Sequence, residues 1–189
     1  MPLIETERLL LRQWRPGDKN TFADLNADPV VMRHFPDTLS RRESDAMVDR
    51  MSSKLSEQGW GLWATEVVST GRMIGFVGLS SPGWETSFTP CVEVGWRLER
   101  GAWGHGYAPE AATAVLAFAF TQVELPNDEV VSFTTEANTN SRRVMDKIGL
   151  HHDPTRDFDH PTLPTWSGRR HVLYAIDRGA WMRTTLCPD

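Results

Sequence analysis

The sequence predicts one α/β domain on a mixed sheet, mostly antiparallel with a single parallel crossover. Three observations lead there. At 189 residues the chain fits one domain and can bury a full core, roughly 70% of its unfolded surface. Its period-2 and period-3.6 stretches follow the order β α α β β β α β α β β. Residues 92–135 form a strand–helix–strand unit long enough for a parallel crossover, whereas the other strands can pair antiparallel. There is no internal repeat and no low-complexity linker, so residues 1–189 are expected to form a single domain.

Residues 8–14, RLLLRQW, read as a first strand. The stretch PGDKNTFADLN opens a short helix, with Asp18 as its expected N-cap and Phe22 and Leu25 on one face. Residues 40–56 read as a helix. Ser40 and Glu43 have capping-box spacing, and Met47, Val48, Met51 and Leu55 recur at helical intervals. Residues 61–68 and 72–80 are two strands joined by a hairpin turn at 69–71, and residues 81–90 are a loop. Residues 92–98 are the next strand. A helix over 105–123 buries Ala108, Ala112, Val115, Leu116, Ala119 and Phe120. Residues 129–135 form a strand, and residues 141–148 form a helix with Gly149 as its C-cap. HHDPTRDFDHPTLPTW is an extended strand plus loop, and residues 170–176 form the closing strand.

Composition narrows the function classes. Apolar residues make up 40% and charged residues 24%, ordinary for a soluble globule. A formal charge of −5 argues against nonspecific nucleic-acid binding. Cys91 and Cys187 form no CxxC and no Cys/His metal spacing, so a reduced, cytoplasmic setting is expected. No secretory pattern opens the chain and no apolar run reaches membrane-spanning length, so no membrane partner is expected.

The chemistry concentrates in residues 92–111, VEVGWRLERGAWGHGYAPEA. Here a strand passes through Gly101, Gly104 and Gly106 into a helix. The first N–H groups of a helix lack acceptors, and its dipole favours an anion. Glycines let the backbone approach a phosphate, and Pro109 is tolerated in the first turn. A P-loop is excluded because no Gly-Lys-Ser/Thr is present. A dinucleotide fingerprint matches only in part, since Pro109 falls at its third glycine and the turn follows four strands.

GAWGHGYAPEA resembles the acyl-CoA pyrophosphate loop of the GNAT superfamily of N-acetyltransferases, which reads [Q/R]-x-x-G-x-[G/A]. Gly104 and Gly106 match its glycines, Gly101 stands where the family has Gln or Arg, and Arg100 precedes it. FTTEANTNSRRVMDKIGL (133–150) resembles a segment of the RimJ/RimL-like branch, the ribosomal-protein-alanine acetyltransferases, with Asn138 and Ser141 on its N and S. ETERLLLRQWRPGD and DPVVMRHFP are similar to this branch too, so the resemblance spans roughly residues 5–178.

The resemblance implies a GNAT-type domain with a splayed acyl-CoA cleft and acetyl-CoA as co-substrate, with no metal. The pantetheine arm would pair with the backbone of Trp96, Arg97 and Leu98. The pyrophosphate would rest on Arg100, Gly101, Trp103, Gly104, His105, Gly106, Tyr107 and Ala108. Asn138 would meet the pantetheine or thiol region, and Arg142, Arg143 and Lys147 the CoA phosphates. Glu93 is the implied general base and Ser141 the acid or hydrogen-bond donor toward the sulfur. A strand N–H near Gly95 or Trp96 would stabilise the oxyanion.

The same residues also have structural readings. Glu93 can be a solvated or arginine-paired strand residue, while Asn138 and Ser141 suit a helix start. Cys91 shares the strand face of Glu93 and is a nucleophile only in a ping-pong alternative; a buried small hydrophobe is the usual reading. His151, His152 and His160, with Asp153, Asp157 and Asp159, fit no standard zinc spacing and read as a substrate-side loop. Phe35, Trp60, Trp84, His160 and Trp166 are candidate pocket walls.

The expected activity is direct transfer of acetyl to a primary amine, either a protein N-terminus or a small molecule. The superfamily commonly forms homodimers. The rival readings are a non-catalytic CoA-binding module and an NAD- or nucleotide-using enzyme.

Overall fold

The computed structural model describes residues 3–186, so Met1, Pro2 and Cys187 lie outside the described residues. The chain divides into two compact units, Met1–Leu79 with Gly95–Val115, and Ser80–Val94 with Leu116–Asp189.

The first unit begins with β1 (Ile4–Glu5) and β2 (Leu9–Arg12), followed by α1 (Asp18–Ala27), α2 (Arg41–Gln58), β3 (Leu62–Val67) and β4 (Arg72–Ser80), whose last residue, Ser80, belongs to the second unit. These strands run in the order β1-β2-β3-β4, all antiparallel. The hairpin turns at Gly71, whose φ of +65° suits glycine. Ser40 and Glu43 form the expected capping box, and Gly59 closes α2 in the left-handed conformation. Leu9, Leu11, Phe22, Leu55, Trp63 and Val77 are fully buried at the centre of this unit. Each such burial stabilises by about 1.5–3 kcal/mol.

Asp18 is not the N-cap of α1. Gly17 holds that position without a side-chain bond. Asp18 accepts instead from the Arg15 N–H at 2.7 Å and ion-pairs with Arg12, which also reaches Glu66. Nearly full burial of Arg12 and Asp18 makes that pairing obligatory, so the carboxylate serves the turn before the helix rather than the helix itself.

β5 (Glu93–Leu98) and α3 (Tyr107–Gln122) each begin in one unit and end in the other. The second unit holds β6 (Glu129–Thr135), α4 (Thr139–Lys147), β7 (His151–His152), β8 (Phe158–Asp159), β9 (Arg170–Asp177) and α5 (Arg178–Leu186). β5 and β6 pair in parallel, with Glu93 opposite Val131, as the 92–135 crossover predicts. β6, β7 and β8 each pair antiparallel with β9. The sheet is therefore mixed and the fold is α/β, with five α-helices among the described residues.

The sequence reading missed β1 and α5 and resolved β7 and β8 only as an extended stretch. On α3, Ala111 is buried where Ala108 was expected; Ala108 is half-buried in the first turn. α4 starts two residues earlier than expected, at Thr139, because Asn138 caps it.

Candidate active site

The glycine turn belongs to the first unit. After β5 the chain makes a single 3₁₀ turn at Arg100–Ala102, then passes Trp103 to enter α3 at Tyr107. Gly104 and Gly106 have φ of +80° and +81°, a region that L side chains rarely adopt. Nothing lies within 4 Å of where a Gly104 Cβ would stand, so its backbone is open to a ligand. Gly101 has an ordinary φ and meets only Glu99 Oε1 at 3.9 Å, so no backbone demand explains it.

One residue that sequence reasoning missed braces this turn. Arg8 Nη1 donates to the His105 carbonyl at 3.0 Å, and its Nε donates to Glu110 Oε2 at 2.7 Å. Its guanidinium lies 4.9 Å from the Tyr107 ring centroid, and Tyr107 stacks on His105. Thr6 Oγ1 donates to the same Glu110 carboxylate at 2.6 Å. These contacts hold the Glu110 carboxyl below the usual range despite its burial, with the Thr6 and Arg8 hydrogen bonds foremost. The sequence signal was slight: an Arg–Glu pair about a hundred residues apart, visible only once β1–β2 and α3 meet.

Trp96, Arg97 and Leu98 lie on β5, as expected. The Leu98 carbonyl already accepts from Trp103 Nε1 at 2.9 Å. Arg100 is exposed beside a cavity of about 340 Å³, lined also by Thr21, Asp24, Arg72 and Glu99.

Glu93 belongs to the second unit. It is half-buried and accepts from Ser80 Oγ at 2.9 Å. Surrounding protein desolvates the carboxyl and raises it from 4.5 to about 7, against the lowering effect of the Ser80 bond. That value suits a group that must accept a proton near neutral pH. Cys91 is a buried free thiol, raised to about 12 chiefly by burial and next by Glu93. Burial and the neighbouring carboxylate both disfavour its thiolate.

Asn138 and Ser141 come together at the start of α4. Asn138 Oδ1 accepts from the Ser141 N–H at 3.3 Å, and its Nδ2 donates to Ser141 Oγ at 3.0 Å and to Thr134 Oγ1 at 2.9 Å. Ser141 Oγ is thus an acceptor in this triad, and its own proton remains available to donate. Glu93 lies opposite Val131 on β6, whereas Asn138 is held at Thr134. Residues three apart on a strand face opposite ways, so the carboxylate and the hydroxyl approach β6 from opposite faces.

Arg142 is already engaged. Its Nε donates to the Tyr174 hydroxyl at 3.2 Å and its Nη1 to the Glu136 carbonyl at 3.2 Å. Arg143 and Lys147 are exposed.

The carboxylates of the histidine-rich stretch are spent on other partners. Asp157 meets His152, Asp153 meets Arg156, and Asp159 meets Arg169. Among the proposed pocket walls, Trp84 and His160 lie 5.2 Å apart, and Trp166 lies 6.2 Å from His171. Phe133 and Phe158 complete this aromatic cluster. Phe35 packs instead on Arg97, and the Trp60 carbonyl accepts from Gln58 Nε2 at 2.9 Å.

Comparisons with known proteins bear on the family of this chain. Residues 8–151 match the family model described as the acetyltransferase (GNAT) domain. The Bacillus subtilis protein YkkB is 31% identical over 155 residues, covering 80% of this chain and 87% of that protein. The Aspergillus fumigatus FsC-acetyl coenzyme A-N(2)-transacetylase is 31% identical over 189 residues, covering 96% and 79%. Among solved structures, a GNAT-family acetyltransferase from Bacillus anthracis superposes with a TM-score of 0.76 at 22% identity, covering 93% of this chain and 98% of that one. The family-model match over residues 8–151 and these relatives lead to one conclusion: the chain belongs to the GNAT family of N-acetyltransferases.

Proposed function

We propose that this N-acetyltransferase moves the acetyl group of acetyl-CoA directly to a primary amine, with Glu93 as the general base. The observation that carries the reading is the desolvated Glu93 carboxyl, held by Ser80 on the strand that leads into the glycine turn. Bound acetyl-CoA would supply an activated thioester carbonyl. The left-handed backbone at Gly104 and Gly106, open at Gly104, and the first N–H groups of α3 fit its pyrophosphate. Arg8 keeps that turn in shape through His105 and Glu110. Glu93 takes the proton an attacking amine must lose, directly or through a water. Ser141, oriented by Asn138, donates its hydroxyl proton toward the departing sulfur as a hydrogen bond. Direct transfer in a ternary complex needs no acyl-enzyme, and holding thioester and amine in line supplies much of the rate.

The RimJ/RimL-like branch belongs to this proposal and rests on the Asn138–Ser141 motif. The acceptor class joins it through the FsC transacetylase relative, whose name records N-acetyl transfer from coenzyme A. A cytoplasmic setting is part of the same reading; no helix among the described residues is long and apolar enough to cross a membrane.

The test is CoA release against a panel of small amines and N-terminal peptides, with Glu93→Gln alongside wild type. Turnover of one acceptor class, lost by about 10²-fold or more in the variant while CoA still binds, is the expected result. Equal turnover in both proteins would remove Glu93 from the mechanism. CoA binding without turnover on any amine would favour a non-catalytic CoA-binding module.

A further inference from the structure

The side chain of Arg97 takes no part in the mechanism above, which uses only its backbone. Its Nη1 donates to Asn26 Oδ1 at 2.7 Å, and the fully buried Asn26 in turn donates to Ser44 Oγ at 2.9 Å. The Phe35 ring centroid lies 4.1 Å from its Cζ and that of Phe76 5.6 Å. Nε is buried and has no hydrogen-bond partner. No carboxylate among the described residues pairs with this guanidinium, and burial pulls it down to about 10. Arg12, the buried arginine of the first unit, shows the contrast, since it meets both Asp18 and Glu66.

A desolvated guanidinium is costly unless a counter-charge is supplied. The two aromatic faces recover part of that cost. Asn26 takes Nη1, which leaves the side-on edge formed by Nε–H and the outer Nη2–H. That edge is the one that grips a carboxylate with two parallel hydrogen bonds. Its neighbours come from α1, the segment between α1 and α2, α2 and β4. None comes from the glycine turn, which already supplies a seat for the nucleotide's phosphates.

We propose that Arg97 is an anion seat for the acceptor, so that the enzyme selects amines that also carry a carboxylate. Asn26 and Ser44 fix the guanidinium plane, and Phe35 shields the pair from water. This inference rests on the acetyl-transfer reading given above for its biological meaning, but the seat itself can be read by binding alone.

The probes are N-acetyl amino acids and their C-terminal amides, titrated calorimetrically into wild type, Arg97→Lys and Arg97→Gln. Wild type is expected to prefer acid over amide by about 10-fold or more, the usual worth of a hydrogen bond to a charged group. Arg97→Gln, which keeps a donor for Asn26, should abolish the preference. Arg97→Lys should retain part of it, having charge but no fork. The same acid-over-amide ratio should appear in kcat/KM when the free amines are offered as acceptors. Without ligand, Arg97→Gln should melt no lower than wild type, because it removes a half-buried cation whose Nε lacks a partner.

Equal binding of acid and amide by wild type would overturn the proposal. So would a lower melting temperature in Arg97→Gln with the preference unchanged, which would make Arg97 a strut. Loss of CoA affinity in Arg97→Gln with the preference intact would overturn it too, assigning the seat to a nucleotide phosphate. If acid preference holds but no amine is turned over, the acetyl-transfer reading falls and the seat stands. If neutral amines are turned over with no acid preference, the seat falls and the transfer reading stands.

Discussion

Glu93→Gln makes two predictions from one number. With its carboxyl at about 7, Glu93 is half ionised at neutral pH. Each pH unit below that cuts the ionised fraction about tenfold, so log kcat/KM should rise with unit slope to about pH 7 and then level. The second prediction concerns stability. The folded value lies above the ordinary 4.5, so between these values the folded chain binds more protons than the unfolded one. Stability therefore falls as pH rises from about 4.5 to about 7. The ceiling is about 3 kcal/mol, at about 1.4 kcal/mol per pKa unit, and the partial exposure of Glu93 brings the real figure lower. Glutamine cannot titrate, so the variant should lack both the rising limb of activity and this fall. The assay pairs rate–pH profiles with thermal melts from pH 4.5 to 8.5. At a 189-residue size the melting temperature of the variant should overtake wild type by several degrees at alkaline pH. A wild-type rate limb centred near 4.5, or parallel stability curves for the two proteins, would refute the reasoning.

Three more predictions use the same assays. Ser80→Ala removes the one hydrogen bond that lowers the Glu93 carboxyl, so the activity limb should shift to higher pH; an unmoved limb would separate Ser80 from the base. Gly104→Ala and Gly106→Ala force a Cβ into left-handed backbone at a cost of about 1–2 kcal/mol and should weaken CoA binding, whereas Gly101→Ala should not; calorimetry with CoA checks the contrast. Asn138→Ala removes both the α4 cap and the bond that orients Ser141, so it should cost about 1 kcal/mol of stability and lower kcat, whereas Ser141→Ala should lower kcat with a smaller loss of stability; a melt and a kcat measurement on both variants decide it.

The turn and the strand before it were legible because their chemistry is local. Glycines mark left-handed backbone, and a helix start marks an anion site, wherever the rest of the chain goes. The capping box at Ser40 and Glu43 was legible for the same reason. Asp18 was misread because two capping roles compete for one carboxylate, and the deciding partner, Arg12, is set by burial. β1 and β7 are two residues each, too short to show a period. Arg8 and the side chain of Arg97 were invisible as site residues. One depends on a partner 102 positions away, the other on the absence of any acidic partner, and a sequence displays neither.

The Arg8–Glu110 brace has a consequence for the order of assembly. It joins residues separated by 102 positions, so its loop can close only after much of the chain exists. During synthesis, at about 5–20 residues per second, Arg8 waits several seconds or longer before Glu110 is made. The glycine turn is complete in sequence at Gly106 yet has no brace until β2 and α3 dock. If CoA sits on this turn as proposed, binding competence would come late in the folding of the chain, and CoA affinity appearing after most helical signal in a refolding experiment would follow directly from that wiring.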